Sequence, residues 1–451
     1  MENDLNQPLN TMYLKLLEGE DPDSAELENV LGILRAKKVI IYGAGRSGRM
    51  LQELFAKSGI TPEFFVDRNF ETIREIGKVP VRSPDFLASL GEAQDYVVVV
   101  GAGQMHLFEL IVSDLDKINR NLARVCGVYL VYLLHYSQCL ASTSRGEDQP
   151  PLKHCISYHV KPYKCPIFCR HVENLAKASG HVDSTKGSTF NDVGYLLGEV
   201  CTLNCEHCHE AVPYLNSTTR LPKETVIGDI NKLVDSCSFL HRLDLVGGEP
   251  FAHPDIVEIV AEVSRNSKIG YIGVFTSGTS LPSVELCRVL KNDRIIVTVS
   301  DYSHNNNLTE KQVDKIHRTV EMLKEHDVNF IVIPDRYWFD MNGYEKGDVP
   351  EEKLKENFSH CFMAACHRIY DGTLYHCPYQ AAGIKLGKLE KRDCIDIHEH
   401  TPEQLVAELD KFDKATLIDA CRYCNLPKGP TEVIAGRQIE RRVVRIHAVT
   451  E

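Results

Sequence analysis

Three cysteines stand within eight residues at Cys201-Thr202-Leu203-Asn204-Cys205-Glu206-His207-Cys208, with the spacing C-x3-C-x2-C. Thiolates are the usual ligands of iron–sulfur clusters, and a 4Fe–4S cube takes four ligands. Three protein thiols leave one iron open to an exogenous ligand, which gives the cluster substrate chemistry beyond electron transfer. Two plainer alternatives stand beside this one. Zinc takes thiolate and imidazole, so His207 or His209 completes a tetrahedral set. Three cysteines can also be ordinary buried thiols.

About forty residues on, Leu243 to Pro250 (LDLVGGEP) reads as a strand ending in Gly247-Gly248-Glu249-Pro250. Paired glycines let backbone approach a ligand, and a carboxylate there can hold an ammonium group. Together the two stretches resemble the radical S-adenosylmethionine (SAM) superfamily, over about residues 190–335. The resemblance implies Cys201, Cys205 and Cys208 as ligands of a 4Fe–4S cluster whose open iron chelates the amino and carboxylate groups of S-adenosylmethionine. It implies Gly247, Gly248 and Glu249 at the methionine end of that cofactor. The residue before the last cysteine, an aromatic in most of the family, is His207 here; an imidazole can still stack on the adenine. A low-potential electron donor such as flavodoxin or ferredoxin is the implied redox partner.

These groups need elements to place them. Val193 to Val200 (VGYLLGEV) is an apolar run ahead of the cysteine loop and reads as a buried strand. Strand and helix signals then alternate. Helices are expected over 223–236, 254–265, 283–290 and 310–326, and strands over 244–246, 269–275, 294–299 and 328–333. Repeated βα units mean parallel strands with helices outside, and active sites in such barrels lie at the C-terminal strand ends. The resemblance puts Thr276-Ser277-Gly278 where the third strand meets the cofactor and Ser300 where the fourth does, with Asp301 and Tyr302 toward substrate.

Residues 346–451 carry a second cysteine set. Cys361 and Cys366 precede a hairpin signal turning at Asp371-Gly372, Cys377 closes the hairpin, and Cys421-x2-Cys424 follows. The pattern resembles the auxiliary-cluster domains named SPASM and twitch. It implies a second 4Fe–4S cluster on Cys377, Cys421 and Cys424, with Cys366 preferred over Cys361 as the fourth ligand. A structural zinc is the alternative, since C-x2-C pairs suit it too. Cys126, Cys139, Cys237, Cys287 and Cys394 read as ordinary thiols.

Nearer the N-terminus, KKVIIYGAGRSG runs from a β-branched strand into Gly43-x-Gly45-x-x-Gly48. The glycines allow a tight turn and close approach to a phosphate at a helix N-terminus. Asp67, nineteen positions after Gly48, is placed to bond a ribose hydroxyl. Further strands are expected over 60–66, 79–81, 96–100 and 125–130. A Rossmann-like domain over 35–135 follows, binding a nucleotide or serving for docking. It resembles the small Rossmann-like modules of sugar- and polysaccharide-modifying proteins. Residues 1–34 read as helical packing elements, and 136–190 as a polar connector holding Cys155, Cys165 and Cys169 beside His154 and His171, where a further metal site is conceivable.

The expected whole is an α/β chain: helices over 1–34, the Rossmann-like domain, the connector, a partial (β/α)6 TIM-like barrel over 191–345, and a small iron–sulfur domain over 346–451. A formal net charge of −12 argues against a nucleic-acid or anionic-membrane surface. There is no 18-residue apolar run and the first ten residues are polar, so neither a membrane span nor a secretory signal is expected. Sixteen cysteines in such a chain fit a reducing cytoplasm and metal clusters. The expected function is a radical SAM enzyme acting on a small molecule, a sugar or nucleotide-linked sugar of glycan or capsule biosynthesis, with oxidation, epimerisation and rearrangement all open. The alternatives are a peptide maturase or protein-activating enzyme, and a non-enzymatic iron–sulfur or zinc scaffold.

Overall fold

The structure, a computed structural model, describes residues 5–440 apart from 19–20, 91–94, 102–104, 145–187, 191, 216–217, 306, 335–336, 342, 360, 362, 365 and 427–430. Cys155, Cys165, Cys169, His154, His171 and the Cys139 side chain lie outside the described residues. The chain forms two compact units, one within the first 150 residues and one containing everything described from Ser188 on.

The first unit holds α1 (Asn6–Glu18), α2 (Ser24–Arg35), β1 (Lys38–Tyr42), α3 (Arg46–Lys57), β2 (Phe64–Val66), β3 (Glu75–Ile76), β4 (Val79–Arg82), β5 (Tyr96–Val100), α4 (Met105–Asn119), β6 (Ala123–Cys126) and α5 (Gly127–Ser144). Its sheet has the order β3-β4-β2-β1-β5-β6, with β1 parallel to both neighbours: Ile40 pairs with Phe64 on one side and Val98 on the other. The chain winds from β1 first to one side and then to the other. The unbroken apolar runs of β1 and β5 suit central strands covered on both faces.

One stretch differs from its sequence reading. The strand expected over 125–130 ends at Cys126, and the apolar run beyond it is helical, extending into the expected connector. Periodicity alone does not distinguish a buried helix from a buried strand in so short a run. Gly127 makes the turn: a Cβ there would lie 2.4 Å from Val100 O.

The second unit holds β7 (Thr189–Phe190), β8 (Val193–Leu196), α6 (Lys223–Ser236), β9 (Phe239–Val246), α7 (Ile256–Val263), β10 (Ile269–Thr276), α8 (Val284–Leu290), β11 (Ile295–Ser300), α9 (Glu310–Glu325), β12 (Phe330–Ile333), β13 (Tyr337–Phe339), α10 (Glu351–Ser359), β14 (His367–Tyr370), β15 (Thr373–Tyr375), α11 (Pro378–Lys385), β16 (Cys394–Asp396), α12 (Pro402–Asp413) and β17 (Glu432–Ile434). From β8 to β12 the strands are parallel neighbours in chain order, each joined to the next by a helix. Alternate residues, such as Leu243, Leu245, Ile272, Val274, Val297 and Val299, pack with the helices in one core.

The next strand, β13, does not extend this sheet. It forms a separate antiparallel ribbon with β17, Trp338 opposite Val433. Five parallel βα strands stand where six were expected among the described residues. The sheet grows at its other edge instead: β14 runs parallel to β8, and β15 and β16 continue from it. The C-terminal hairpin therefore shares the barrel's sheet and, through Ile369, Leu374, Ile397 and Leu405, its core. Asp371 and Gly372 turn that hairpin with φ of 46° and 74°, the pair of left-handed residues a two-residue turn asks for.

Asp229 on α6 locks the hairpin to the barrel. It is 1% exposed and accepts from the Tyr195 hydroxyl (2.7 Å) and the Gly372 N–H (2.8 Å), with His398 Nε2 2.6 Å from its other oxygen. Burial, reinforced by that carboxylate, pushes the Tyr195 hydroxyl far above the ordinary range, so it stays a donor. Asp229→Ala strands a buried hydroxyl and a backbone N–H, and is expected to cost this unit about 3 kcal/mol. Urea unfolding of the metal-free protein checks it, and a loss well under about 1 kcal/mol shows that the network is dispensable.

Candidate active site

The cysteine loop opens off the end of β8, as its position after an apolar run predicts. The chain crosses the end of β9 there through close backbone contacts: Gly248 N–H donates to Gly198 O (2.9 Å) and Glu249 N–H to Val200 O (2.9 Å). A Cβ on Gly248 would lie 2.1 Å from Val200 O. The GG pair is thus used to bring the second strand end against the residue preceding Cys201.

The three sulfurs sit in a dry pocket. Leu203, Cys205, Tyr302 and Ala435 form a small apolar cluster, with Cys201, Cys208, Leu308 and Trp338 packed on it. Burial raises all three thiols, Cys205 to about 12 and Cys208 to about 11, so they are protonated until a metal displaces the protons. Each sulfur is nonetheless supplied with N–H donors. Leu203 N–H points at Cys201 Sγ (3.4 Å) and Gln438 Nε2 at Cys205 Sγ (3.3 Å), and backbone donors from Val212, Glu210 and Ala211 reach Cys208. Donors aimed at sulfur in an apolar pocket fit thiolate charge held on a cluster. Among the described residues no three His, Cys, Asp or Glu side chains converge as one metal ion requires.

Glu249 lies close enough to Cys201 to raise its thiol further. Its carboxylate accepts from Thr276 Oγ1 (2.7 Å), Ser277 Oγ (2.5 Å), Ser277 N–H (3.0 Å) and Phe251 N–H (3.1 Å). Thr276, Ser277 and Glu249 are thus brought together, and Thr202 Oγ1 lies 2.5 Å from Thr279 Oγ1. Burial raises the Glu249 carboxyl and the four donors work against it. Ser300 ends β11, half-buried. The Tyr302 ring packs edge-on to Trp338 at 5.5 Å, inside the apolar cluster against the cysteine loop. His207 is held by Asp340, Nδ1 to Oδ1 at 3.3 Å.

A second group of thiols gathers in the C-terminal part. Cys377 packs with Met341, Met363, Tyr379, Ile418 and Ala420, and Cys361, Cys421 and Cys424 lie against the same cluster. Burial pushes Cys377 far up, and the neighbouring charges of Cys361, Cys421 and Cys424 push the same way. Cys377 caps α11, accepting from Gln380 N–H at 3.4 Å, while Met363 and Ala364 N–H groups reach Cys361. Cys366 is elsewhere. It is 3% exposed, beside Arg368, whose guanidinium pairs with Glu210 at 2.8 Å. The sequence reading prefers Cys366 as the fourth ligand; in the described packing Cys361 is the one that lies against the cluster of Cys377 with Cys421 and Cys424.

In the first unit Gly43, Gly45 and Gly48 form the turn between β1 and α3. A Cβ on Gly48 would lie 1.9 Å from Gly43 O. Asp67 differs from its expected presentation: one oxygen accepts from Ala44 N–H (2.7 Å) and the other from Asn69 N–H (2.8 Å), so it braces the glycine turn itself.

Parallel strands with a three-thiol loop at the end of β8 make the candidate active site. Residues 195–335 match the model of the Radical SAM superfamily. Molybdenum cofactor biosynthesis protein 1 of Homo sapiens is 31% identical over 111 residues, which is 24% of this chain and 17% of that protein. The Mus musculus protein is 24% identical over 172 residues, 36% of this chain and 27% of its own length. The chain thus spans under a third of these relatives. Among solved structures, BtrN in complex with AdoMet and 2-DOIA is similar at 14% identity and a TM-score of 0.33, over 52% of this chain and 93% of that one. Streptococcus suis SuiB bound to precursor peptide SuiA is similar at 12% identity and a TM-score of 0.32, over 67% and 84%.

Sequence reasoning missed Gln438, Asn204 and Arg368. Gln438 meets the cysteine loop across 233 positions, and no local pattern announces a contact of that range.

Proposed function

We propose that this enzyme binds a 4Fe–4S cluster through Cys201, Cys205 and Cys208, a second through Cys361, Cys377, Cys421 and Cys424, and oxidises a hydroxyl-bearing small molecule, a nucleotide-linked sugar. The observation that carries the reading is the three-thiol loop closed onto Gly247-Gly248-Glu249 with Glu249 beside Cys201. A cluster held by Cys201, Cys205 and Cys208 would supply one-electron chemistry to a bound S-adenosylmethionine, and one held by Cys361, Cys377, Cys421 and Cys424 would supply an electron acceptor.

The chain's own groups do the rest. Glu249, held by Thr276 and Ser277, presents fixed negative charge toward an ammonium group. The Leu203, Tyr302, Ala435 and Trp338 cluster keeps water from the thiols. Arg242 and Asp244 on β9 form a buried pair at 2.7 Å. By itself, the glycine turn of the Rossmann-like first unit is a candidate nucleotide site. Electrons come from a flavodoxin- or ferredoxin-like donor.

Anaerobic reconstitution is expected to load about eight irons per chain, two cubes' worth. With reductant and S-adenosylmethionine, 5′-deoxyadenosine is expected to form, and to form faster with nucleotide-linked sugars. If these sugars neither speed it nor raise the melting temperature of the full chain, the sugar assignment fails while the enzyme class stands. If no 5′-deoxyadenosine forms under any condition, the cluster assignment at Cys201, Cys205 and Cys208 fails.

A further inference from the structure

The segment from Thr431 to Ile439 lies as a strap across the cysteine loop. Its first half pairs with β13, where Asp340 N–H also donates to Thr431 O (2.9 Å). Its second half runs against the loop in a short backbone ladder. Glu206 N–H donates to Arg437 O (2.8 Å), and Ile439 N–H to Asn204 O (2.9 Å). Asn204 Nδ2 returns a bond to Ile439 O (2.6 Å). On the other side the strap is pinned to the loop after β11. Asn305 Nδ2 donates to Ala435 O (2.9 Å) and Asn307 Nδ2 to Gln438 O (3.1 Å). Gly436 passes so near Tyr302 that a Cβ would meet its ring at 2.6 Å, with φ at +69°.

Gln438 stands at the centre of this ladder, opposite Cys205. Its side-chain amide is fully engaged. Oε1 accepts from Asn204 N–H (2.7 Å), while Nε2 donates to Gly436 O (2.6 Å) and to Cys205 Sγ (3.3 Å). The orientation is dictated by the partners. Asn204 offers a donor and so takes the oxygen; a carbonyl and a sulfur are acceptors and so take the nitrogen. The residue is half-buried and its neighbours Tyr302, Ala435 and Leu203 are apolar, which strengthens a polar contact.

We propose that Gln438 is a positioning residue for the cluster-binding loop, donating a hydrogen bond from its side-chain amide to the Cys205 thiolate and so raising the reduction potential of the cluster held there. The physical reason is charge. Reduction adds an electron to the cluster, and a donor on a ligand sulfur stabilises the more negative state. Through the same amide the loop and the strap move together, because Asn204 N–H and Cys205 Sγ are held by opposite ends of one rigid group. The proposal rests on the assignment of the cluster to Cys201, Cys205 and Cys208.

The test is an EPR-monitored redox titration of the reconstituted full-length protein, comparing wild type with Gln438→Ala and Gln438→Glu. Alanine removes both functions of the amide. Glutamate keeps the acceptor for Asn204 N–H and removes the donor to sulfur. A downward shift of the midpoint potential is expected in both variants, larger for glutamate because it adds negative charge. An unchanged potential in both overturns the proposal. Wild type carrying side-chain 15N-glutamine supplies a second readout that does not depend on either variant loading iron. Pulsed EPR of its reduced cluster is expected to show a 15N coupling lost on unlabelled protein, and absence of that coupling overturns the proposal as well. A wild-type protein with no cluster signal from the Cys201 loop overturns the cluster assignment instead, which the titration distinguishes by iron content before any potential is read.

Discussion

Gly248→Ala is expected to empty the first cluster site. The Cβ it adds would lie 2.1 Å from Val200 O, 2.4 Å from Val200 C and 2.9 Å from Cys201 N. All three are backbone atoms, so no rotamer change relieves the overlap. Gly198, on the other side of the crossing, has no slack: it accepts from Gly248 N–H, has a φ of +156°, and a Cβ on it would meet Thr219 O at 2.5 Å. The two strand ends must separate, and the peptide leading into Cys201 moves with them. A cost above about 3 kcal/mol is expected on overpacking grounds, with iron content falling from about eight to about four per chain. Formation of 5′-deoxyadenosine is expected to fall below about one hundredth of wild type, given how steeply such geometry acts on rate. Gly228→Ala is the control. It lies inside α6 with nothing within 4 Å of its Cβ, so it is expected to stabilise by about 0.5–1 kcal/mol and leave iron and turnover alone. An alanine at Gly248 that binds eight irons and turns over normally removes the argument that this crossing shapes the site.

What was legible in the sequence was whatever rests on local chemistry. The span Lys223–Ser236 reads as a helix because Ile227, Ile230, Leu233 and Val234 recur at helical spacing; the last three are buried, and Val226 rather than Ile227 completes the buried face. The hairpin turn at Asp371-Gly372 is legible because only residues tolerant of positive φ fit it. The cysteine loop and GGEP are legible because their spacing is the chemistry. What was not legible depends on distance along the chain. Nothing near His367 says that β14 pairs with β8, 174 positions earlier at Val193, yet that pairing makes the C-terminal hairpin part of the barrel sheet. Asp67 is correctly spaced for a ribose, but its spacing cannot show that it also accepts from Ala44 and Asn69 N–H and so braces the glycine turn. Tyr302 follows a strand end and so reads as facing substrate; its contacts with Gly436 and Trp338, far off in sequence, are not visible in that reading.

Cys361 and Cys366 separate the two ways of building the second cluster. They stand five residues apart, Cys361 half-buried and Cys366 buried, and burial by itself does not make either one a ligand. Their surroundings differ. Cys361 shares the apolar cluster of Cys377, Cys421 and Cys424, and its charge bears on both Cys377 and Cys421. Cys366 faces the Arg368 guanidinium, which also donates to its carbonyl. Cys361→Ala is therefore expected to reduce iron from about eight toward about four per chain, with the remaining cluster still binding S-adenosylmethionine and still forming 5′-deoxyadenosine. Substrate oxidation, which needs the second acceptor, is expected to fall by about a hundredfold or more while that background cleavage persists. Cys366→Ala is expected to keep both clusters, since the described packing groups Cys361, and not Cys366, with Cys377, Cys421 and Cys424. Mössbauer spectra of 57Fe-loaded variants read the two populations directly. The opposite result, a cluster lost with Cys366 and kept with Cys361, requires the segment between them to turn over on metal binding. In that case the four-thiol grouping is a feature of the metal-free chain alone.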